Sequence, residues 1–325
     1  MSQTDSLRLV LLGGDPALHP PLADYLAPFG DRVRLDFADA GDASALAEAD
    51  GVLCGSLPAE LRAQSPRLRY IQFWSAGVDR LLYPALFANG ATVATGSGVH
   101  AAAASEHVLS MMLAFARGLP RSFAAQQAHD WSRSAEIGRS IFELDGKTVG
   151  IVGAGVIGQA IGKRCQAFGM RTIGTRRDPN APTEGIDVLL SHLQYHDLIL
   201  ESDFIVLALP LTPGTQMIFG EDEIEILRKG TYFFNIGRGG LVDETWLLRA
   251  LQNGWLAGAG LDVFAEEPLR SDSPFWDLPN CIITPHVGGQ SPSYWPRFAR
   301  LVADQVDRLL SNRPLRNQVD RDLGY

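Results

Sequence analysis

The stretch 148–169, TVGIVGAGVIGQAIGKRCQAFG, narrows the fold more than any other part of the chain. An apolar run is followed by Gly153-x-Gly155-x-x-Gly158, and then by apolar residues at helical spacing. In a strand–turn–helix setting, such glycines allow a tight turn, bring the backbone close to a pyrophosphate and let the helix pack on the strand. The helix N-terminus then faces the anion. Val156 and Ile157 complete the turn. The alternative is a glycine-rich turn that holds no ligand.

The end of the next strand, RTIGTRRDP, refines this expectation. A site for NAD usually places a carboxylate about 20 residues beyond the glycines, on the ribose 2′-hydroxyl. Here Thr175, Arg176 and Arg177 occupy that place. A carboxylate would repel a 2′-phosphate, whereas a guanidinium pairs with it bidentately. The arginines therefore favour NADP(H), with NAD(H) possible. Two solvated surface arginines are the plainer alternative, and Asp178 could offset them or bind a ribose itself.

Strand-like and helical runs alternate on both sides of this turn. LRLVLLG, VRLDF, GVLCG, RYIQF and ATVAT precede it; MRTIGT, FIVLALP, YFFNIG, AGAGLDVF and CIITP follow. Alternation of this kind argues for parallel sheets with right-handed crossovers. HAAAASEHVLSMMLAFARGL is alanine-rich and apolar at helical spacing, which predicts one long helix joining two domains. The tail SPSYWPRFARLVADQVDRLL is helical again.

The chain has 325 residues, enough for two cores. Its net charge of −9, without a basic cluster standing out in the sequence, argues against nucleic acid as a partner. Cys54, Cys165 and Cys281 lie far apart, so neither a disulfide framework nor a metal site is expected. Reduced thiols suit a cytoplasmic protein. MSQTDSLRLVLLGG reads as a lead into a first strand rather than a signal peptide, and no segment suggests a membrane span.

Three segments at strand ends carry suitable chemistry: FFNIGRGGLVDE with Arg238, GLDVFAEEPL with Asp262, Glu266 and Glu267, and IITPHVGG with His286. Ligands of open α/β sheets bind outside the carboxyl ends of the strands. Taken singly, each residue has a structural explanation. Behind a dinucleotide turn, they suggest an anion clamp, a carboxylate partner and an acid/base.

Together with WSAGVD, SEHVLSMML, GIVGAGVIG and LALPLTPGT, these segments resemble the D-isomer-specific 2-hydroxyacid dehydrogenases. That family includes glyoxylate/hydroxypyruvate reductases, D-lactate dehydrogenases and D-3-phosphoglycerate dehydrogenase. The resemblance covers most of the chain, with the segments in the family's order. It implies two Rossmann-like, doubly wound parallel-sheet domains, one flavodoxin-like and one dinucleotide-binding, with a cleft between them. Residues 1–99 plus 291–325 form the substrate domain and residues 100–290 bind the cofactor. The resemblance further implies an active site in that cleft, whose closure would exclude water, and a homodimer.

The resemblance also implies roles. Arg238 grips the substrate carboxylate and polarises the keto oxygen. His286 protonates that oxygen as hydride arrives, and Glu267 pairs with His286 and favours its charged form. The backbone of Ala76 and Gly77 binds the carboxylate. Asp262 meets the nicotinamide carboxamide, while Leu209, Pro210, Thr215, Ile236, Gly237 and Gly288 line the cofactor channel. No metal is expected. Glu106 and His107 match a family feature at the domain junction and read as structural. Trp131 occupies a region from which, in some glyoxylate reductases, a tryptophan reaches the partner's site; a packed interface aromatic is the other reading.

The sequence departs from the family in two places. His100 stands where many relatives carry Asn, and the acid of the second strand is missing. Because the sequence ends at Tyr325, feedback control through an extra regulatory domain is not expected. The function implied is NAD(P)H-dependent reduction of a small 2-keto acid to the D-2-hydroxy acid, NADPH preferred, on glyoxylate, hydroxypyruvate or a larger keto acid. Phosphite oxidation on the same fold and a dinucleotide-sensing corepressor are the alternatives. Formate oxidation is disfavoured by Glu267, since formate enzymes pair this histidine with glutamine.

Overall fold

The computed structural model describes residues 6–325; the first five residues of the N-terminal stretch lie outside them. The chain divides into two compact units, Met1–His100 with Ser291–Tyr325, and Ala101–Gln290. Both are parallel α/β units, as the alternation of runs predicts.

The first unit carries strands β1 (Leu7–Leu12), β2 (Val33–Ala38), β3 (Gly51–Cys54), β4 (Tyr70–Phe73) and β5 (Thr92–Ala94), ordered β2-β1-β3-β4-β5. This is the flavodoxin-like order. β3 and β4 are buried along their whole length, as expected of central parallel strands covered on both faces. The C-terminal helix Tyr294–Leu310 turns Phe298, Ala299, Val302 and Val306 onto one face of this sheet, where they join Leu9, Leu11 and Leu22 in one core.

The second unit carries β6 (Thr148–Val152), β7 (Arg171–Arg176), β8 (Val188–Ser191), β9 (Phe204–Leu207), β10 (Tyr232–Asn235), β11 (Gly258–Leu261) and β12 (Cys281–Ile283). Their order is β12-β11-β10-β9-β6-β7-β8. Counted from β6, this is the doubly wound dinucleotide-binding order with one further strand. β8 is a half-buried edge strand that the sequence reading did not pick out.

The helix expected over HAAAASEHVLSMMLAFARGL is shorter than predicted. It runs Ala101–Ala116 and stops where Gly118 takes a left-handed φ of 63°. A second helix, Leu119–Gln127, begins there with Pro120 in its first turn, where a missing N–H costs nothing.

Register sets the site. Val152 pairs with Thr175 and with Leu207, Asn235 with Leu207 and Leu261, and Leu261 with Ile283. The carboxyl ends of six adjacent strands are thus level. Gly153, Arg176, Leu209, Arg238, Asp262 and His286 stand at or within three residues of those ends.

Candidate active site

The glycine turn has the geometry of a phosphate cradle. Gly153 adopts a φ of +105°, and a Cβ there would lie 2.6 Å from the Ala208 carbonyl oxygen. At Gly158 a Cβ would lie 2.3 Å from the Gly153 oxygen, so the helix sits directly on the turn. A Cβ on Gly155, the N-cap of helix Val156–Ala167, would meet nothing within 4 Å. Open space at a helix N-terminus, framed by close backbone contacts, fits a dinucleotide pyrophosphate. Val156 is 52% exposed beside it and Ile157 is half-buried.

The neighbouring strand end divides its residues between scaffold and surface. Thr175 is buried, and its hydroxyl accepts the Gly153 N–H at 3.3 Å. Its side chain thus helps to hold the turn. Arg176 is half-buried and donates to the Pro182 carbonyl at 3.4 Å, while Arg177 is exposed. Leu209 and Pro210 follow β9 and are half-buried. The Thr215 hydroxyl donates to the Pro210 carbonyl at 2.7 Å and accepts the Thr212 N–H at 2.8 Å, folding that loop on itself.

Beyond β10, Ile236, Gly237 and Arg238 form a turn pinned by Asn235. The buried Asn235 amide donates to the Arg238 carbonyl at 2.8 Å and accepts the Gly237 N–H at 3.1 Å. The Arg238 guanidinium donates to the Gly237 carbonyl at 2.8 Å.

Asp262 is 3% exposed at the end of β11. Its Oδ1 accepts from the Thr284 hydroxyl at 2.6 Å and the Val287 N–H at 3.0 Å; Oδ2 accepts the Gly288 N–H at 2.9 Å. His107 Nε2 lies 2.9 Å from the Thr284 hydroxyl, and Glu106 pairs with Arg164 at 3.0 Å. Asp262 therefore fixes the loop that presents His286, a residue held at a left-handed φ of 54°.

His286 and Glu267 meet directly: Nδ1 lies 2.8 Å from Glu267 Oε2. Glu267 Oε1 accepts the Phe264 N–H at 3.0 Å, which fixes the carboxylate in its own loop. That loop is tied from outside as well, since Glu244 Oε1 accepts the Ala265 N–H at 2.6 Å. Burial pushes the Glu244 carboxyl up, and the charges of Asp243 and Glu267 add to the rise. With Nδ1 occupied, Nε2 is the imidazole nitrogen left to exchange a proton. The His286 side chain is 49% exposed.

In the first unit, Ala76 and Gly77 lie in the loop after β4. The loop is anchored where the Tyr294 hydroxyl donates to the Trp74 carbonyl at 2.7 Å and the Gly96 N–H donates to the Ser75 carbonyl at 2.8 Å. The backbone N–H groups of Ala76 and Gly77 have no acceptor among the described residues. His100 stacks on Tyr294 with ring centroids 4.8 Å apart. Trp131, in the second unit, is 92% exposed.

Four contributors were not singled out by sequence: Asn235, Glu244, Thr284 and the positioning role of Asp262. Asn235 and Glu244 flank Arg238 in FFNIGRGGLVDE, and that proximity was the only available signal.

The family model described as D-isomer specific 2-hydroxyacid dehydrogenase, NAD binding domain, matches residues 109–288. The chain is 36% identical over 309 residues to D-3-phosphoglycerate dehydrogenase of Mycobacterium leprae, an alignment covering 92% of this chain and 57% of that protein. The chain thus spans little more than half the length of that relative. To glyoxylate reductase of Thermococcus litoralis it is 34% identical over 271 residues, 81% of this chain and 80% of the relative. Among solved structures, an NADPH-dependent glyoxylate/hydroxypyruvate reductase from Sinorhizobium meliloti, in complex with NADP and sulfate, superposes with a TM-score of 0.80. It is 30% identical, and the superposition covers 99% of this chain and all of that one. With its two parallel sheets, its glycine turn and its strand-end residues, the chain belongs to the D-isomer specific 2-hydroxyacid dehydrogenase family.

Proposed function

We propose that the protein reduces a small 2-keto acid to the D-2-hydroxy acid with NADPH in preference to NADH. The observation that carries this reading is the 2.8 Å Glu267–His286 pair on the strand edge that also carries the glycine turn and Arg238. The names of the relatives, glyoxylate reductase and D-3-phosphoglycerate dehydrogenase, point to the same substrate class.

Gly153, Gly155 and Gly158, with Val156 and Ile157, would hold the pyrophosphate, and Arg176 and Arg177 would take the 2′-phosphate. Leu209, Pro210, Thr215, Ile236, Gly237 and Gly288 would border the nicotinamide half, and Asp262 would meet its carboxamide. When bound, the dihydronicotinamide supplies a hydride to C2 of the keto acid. Arg238 holds the carboxylate and stabilises charge growing on the keto oxygen. His286 gives that oxygen its proton from Nε2, and takes it back in the reverse direction. Glu267 fixes the imidazole through Nδ1 and offsets its positive charge. The N–H groups of Ala76 and Gly77, without an acceptor among the described residues, suit the substrate carboxylate. The exposed Trp131 supports a homodimer in which this residue is covered by the second copy.

The test is the initial rate of NADPH and NADH oxidation over a panel of 2-keto acids, from glyoxylate and hydroxypyruvate to 2-ketoisocaproate and phenylpyruvate. The proposal expects a clear NADPH-favoured rate on one size class. Cofactor binding without oxidation on any member would refute it.

A further inference from the structure

A second cluster of hydrogen-bond donors lies within the first unit. Ser97, Gly98 and Val99 on one side, and Arg297, Arg300, Leu301, Asp304 and Arg316 on the other, line a cleft of about 450 Å³. None of these residues belongs to the constellation described above. The charge around the cleft is opposite to that of the whole molecule. The net charge is −9, yet the charged residues that line the cleft are three arginines and one aspartate.

The partners within the cleft decide what it can hold. Asp304 is its only carboxylate, and that charge is already engaged: Oδ2 lies 2.8 Å from Arg308 Nε and 2.7 Å from Arg316 Nε. Arg300 spends its Nε and one terminal nitrogen on the Tyr25 hydroxyl, at 3.3 and 3.1 Å. A guanidinium carries five N–H donors, so Arg300 and Arg316 each retain donors. The half-buried Arg297 side chain, the Ser97 hydroxyl and the Gly98 N–H make no hydrogen bond or ion pair among the described residues. Gly98 adopts a φ of +92°, a conformation that L side chains rarely take. The loop is held in this shape by Asn317, whose amide donates to the Ser97 carbonyl at 2.7 Å.

We propose that this cleft is a binding site for a small phosphate-bearing polyanion, gripped by Arg297, the Ser97 hydroxyl and the Gly98 N–H, with Arg300 and Arg316 adding charge. A fork-shaped guanidinium, a hydroxyl and a backbone N–H on residues lining one cleft suit the several oxygens of a tetrahedral oxyanion. Three guanidiniums against one neutralised carboxylate favour a multiply charged ligand.

Inorganic pyrophosphate is the probe, titrated calorimetrically into the full chain saturated with NADPH so that the glycine turn is not open to it. The expected result is saturable binding that Arg297→Ala weakens at least tenfold, and Arg297→Lys by less. Because the Arg297 side chain has no partner in the described structure, the alanine variant is expected to melt with the parent. Ser97→Ala supplies a second, smaller loss from a neutral site. Undiminished affinity in Arg297→Ala, displacement of NADPH by pyrophosphate, or no binding at millimolar probe would each overturn the proposal. Citrate binding as tightly as pyrophosphate would overturn the assignment to phosphate chemistry. Keto-acid turnover plays no part in the readout, so failure of this proposal is distinguishable from failure of the enzymatic one.

Discussion

At Gly239 the Arg238 turn packs against the backbone of the Glu267 loop, and Gly239→Ala tests whether that closeness matters. A Cβ built there lies 1.8 Å from the Phe264 carbonyl carbon, 2.1 Å from the Ala265 nitrogen and 2.2 Å from the Phe264 oxygen. All three are backbone atoms, so no side chain can swing aside. Carbon atoms rest at about 3.5–4.0 Å, so the two loops must separate by more than about 1 Å. Overpacking of this kind costs about 1–3 kcal/mol of stability. The larger effect is on geometry, because displacing a catalytic group by about 1 Å can cost about a hundredfold in rate. The variant is therefore expected to lose about a hundredfold in kcat/KM for the best keto acid. NADPH affinity, whose phosphate contacts at the turn after β6 and at Arg176 lie away from this clash, is expected to fall much less than kcat/KM. The assay pairs initial rates with cofactor fluorescence titration and a thermal melt. A folded Gly239→Ala that keeps more than half of parent kcat/KM would refute the reasoning.

Other outcomes follow from the same structure. Arg176→Asp is expected to lower kcat/KM with NADPH much more than with NADH, and an unchanged ratio between the cofactors would remove Arg176 from the 2′-phosphate site. Burial alone would raise the Glu223 carboxyl, but hydrogen bonds from His196, Tyr195 and the Gly220 N–H hold it below the usual range. A depressed carboxyl contributes stability above its unfolded pKa of about 4.3, and loses it as pH falls through the lower folded value. The melting-temperature gap between parent and Glu223→Gln should therefore be wide at about pH 6 and shrink on acidification; a gap constant with pH would contradict this. Light scattering is expected to give a dimer mass, with Trp131→Ala shifting the equilibrium towards monomer; a parent monomer would dismiss the interface proposed around Trp131.

Much of the fold could be read from the chain because its signals are local. Apolar runs of four to six residues mark the central strands, and the glycine spacing marks the βα turn. The end of the long helix was less legible. LAFARGLP is apolar enough to continue, and the break depends on Gly118 adopting a positive φ just before Pro120. β8 was missed because its four residues are half-buried at a sheet edge and run straight into a turn. The site divides in the same way. Arg238, Glu267 and His286 announce themselves by residue type in the segments that follow strands, but what holds them does not. Asp262 binds the loop 25 and 26 residues later in the chain, and Glu244 binds Ala265, 21 residues away. These partners come together only when β10, β11 and β12 stand in register.

The central claim is that His286 delivers the proton that accompanies hydride transfer. Single-turnover oxidation of bound NADPH by the best keto acid, in the parent and in His286→Ala, tests it most directly. The predicted result is a fall in the rate of the chemical step of about 10²–10⁴-fold, with the NADPH dissociation constant unchanged. A His286→Ala rate within twofold of the parent would show that the proton comes from another group.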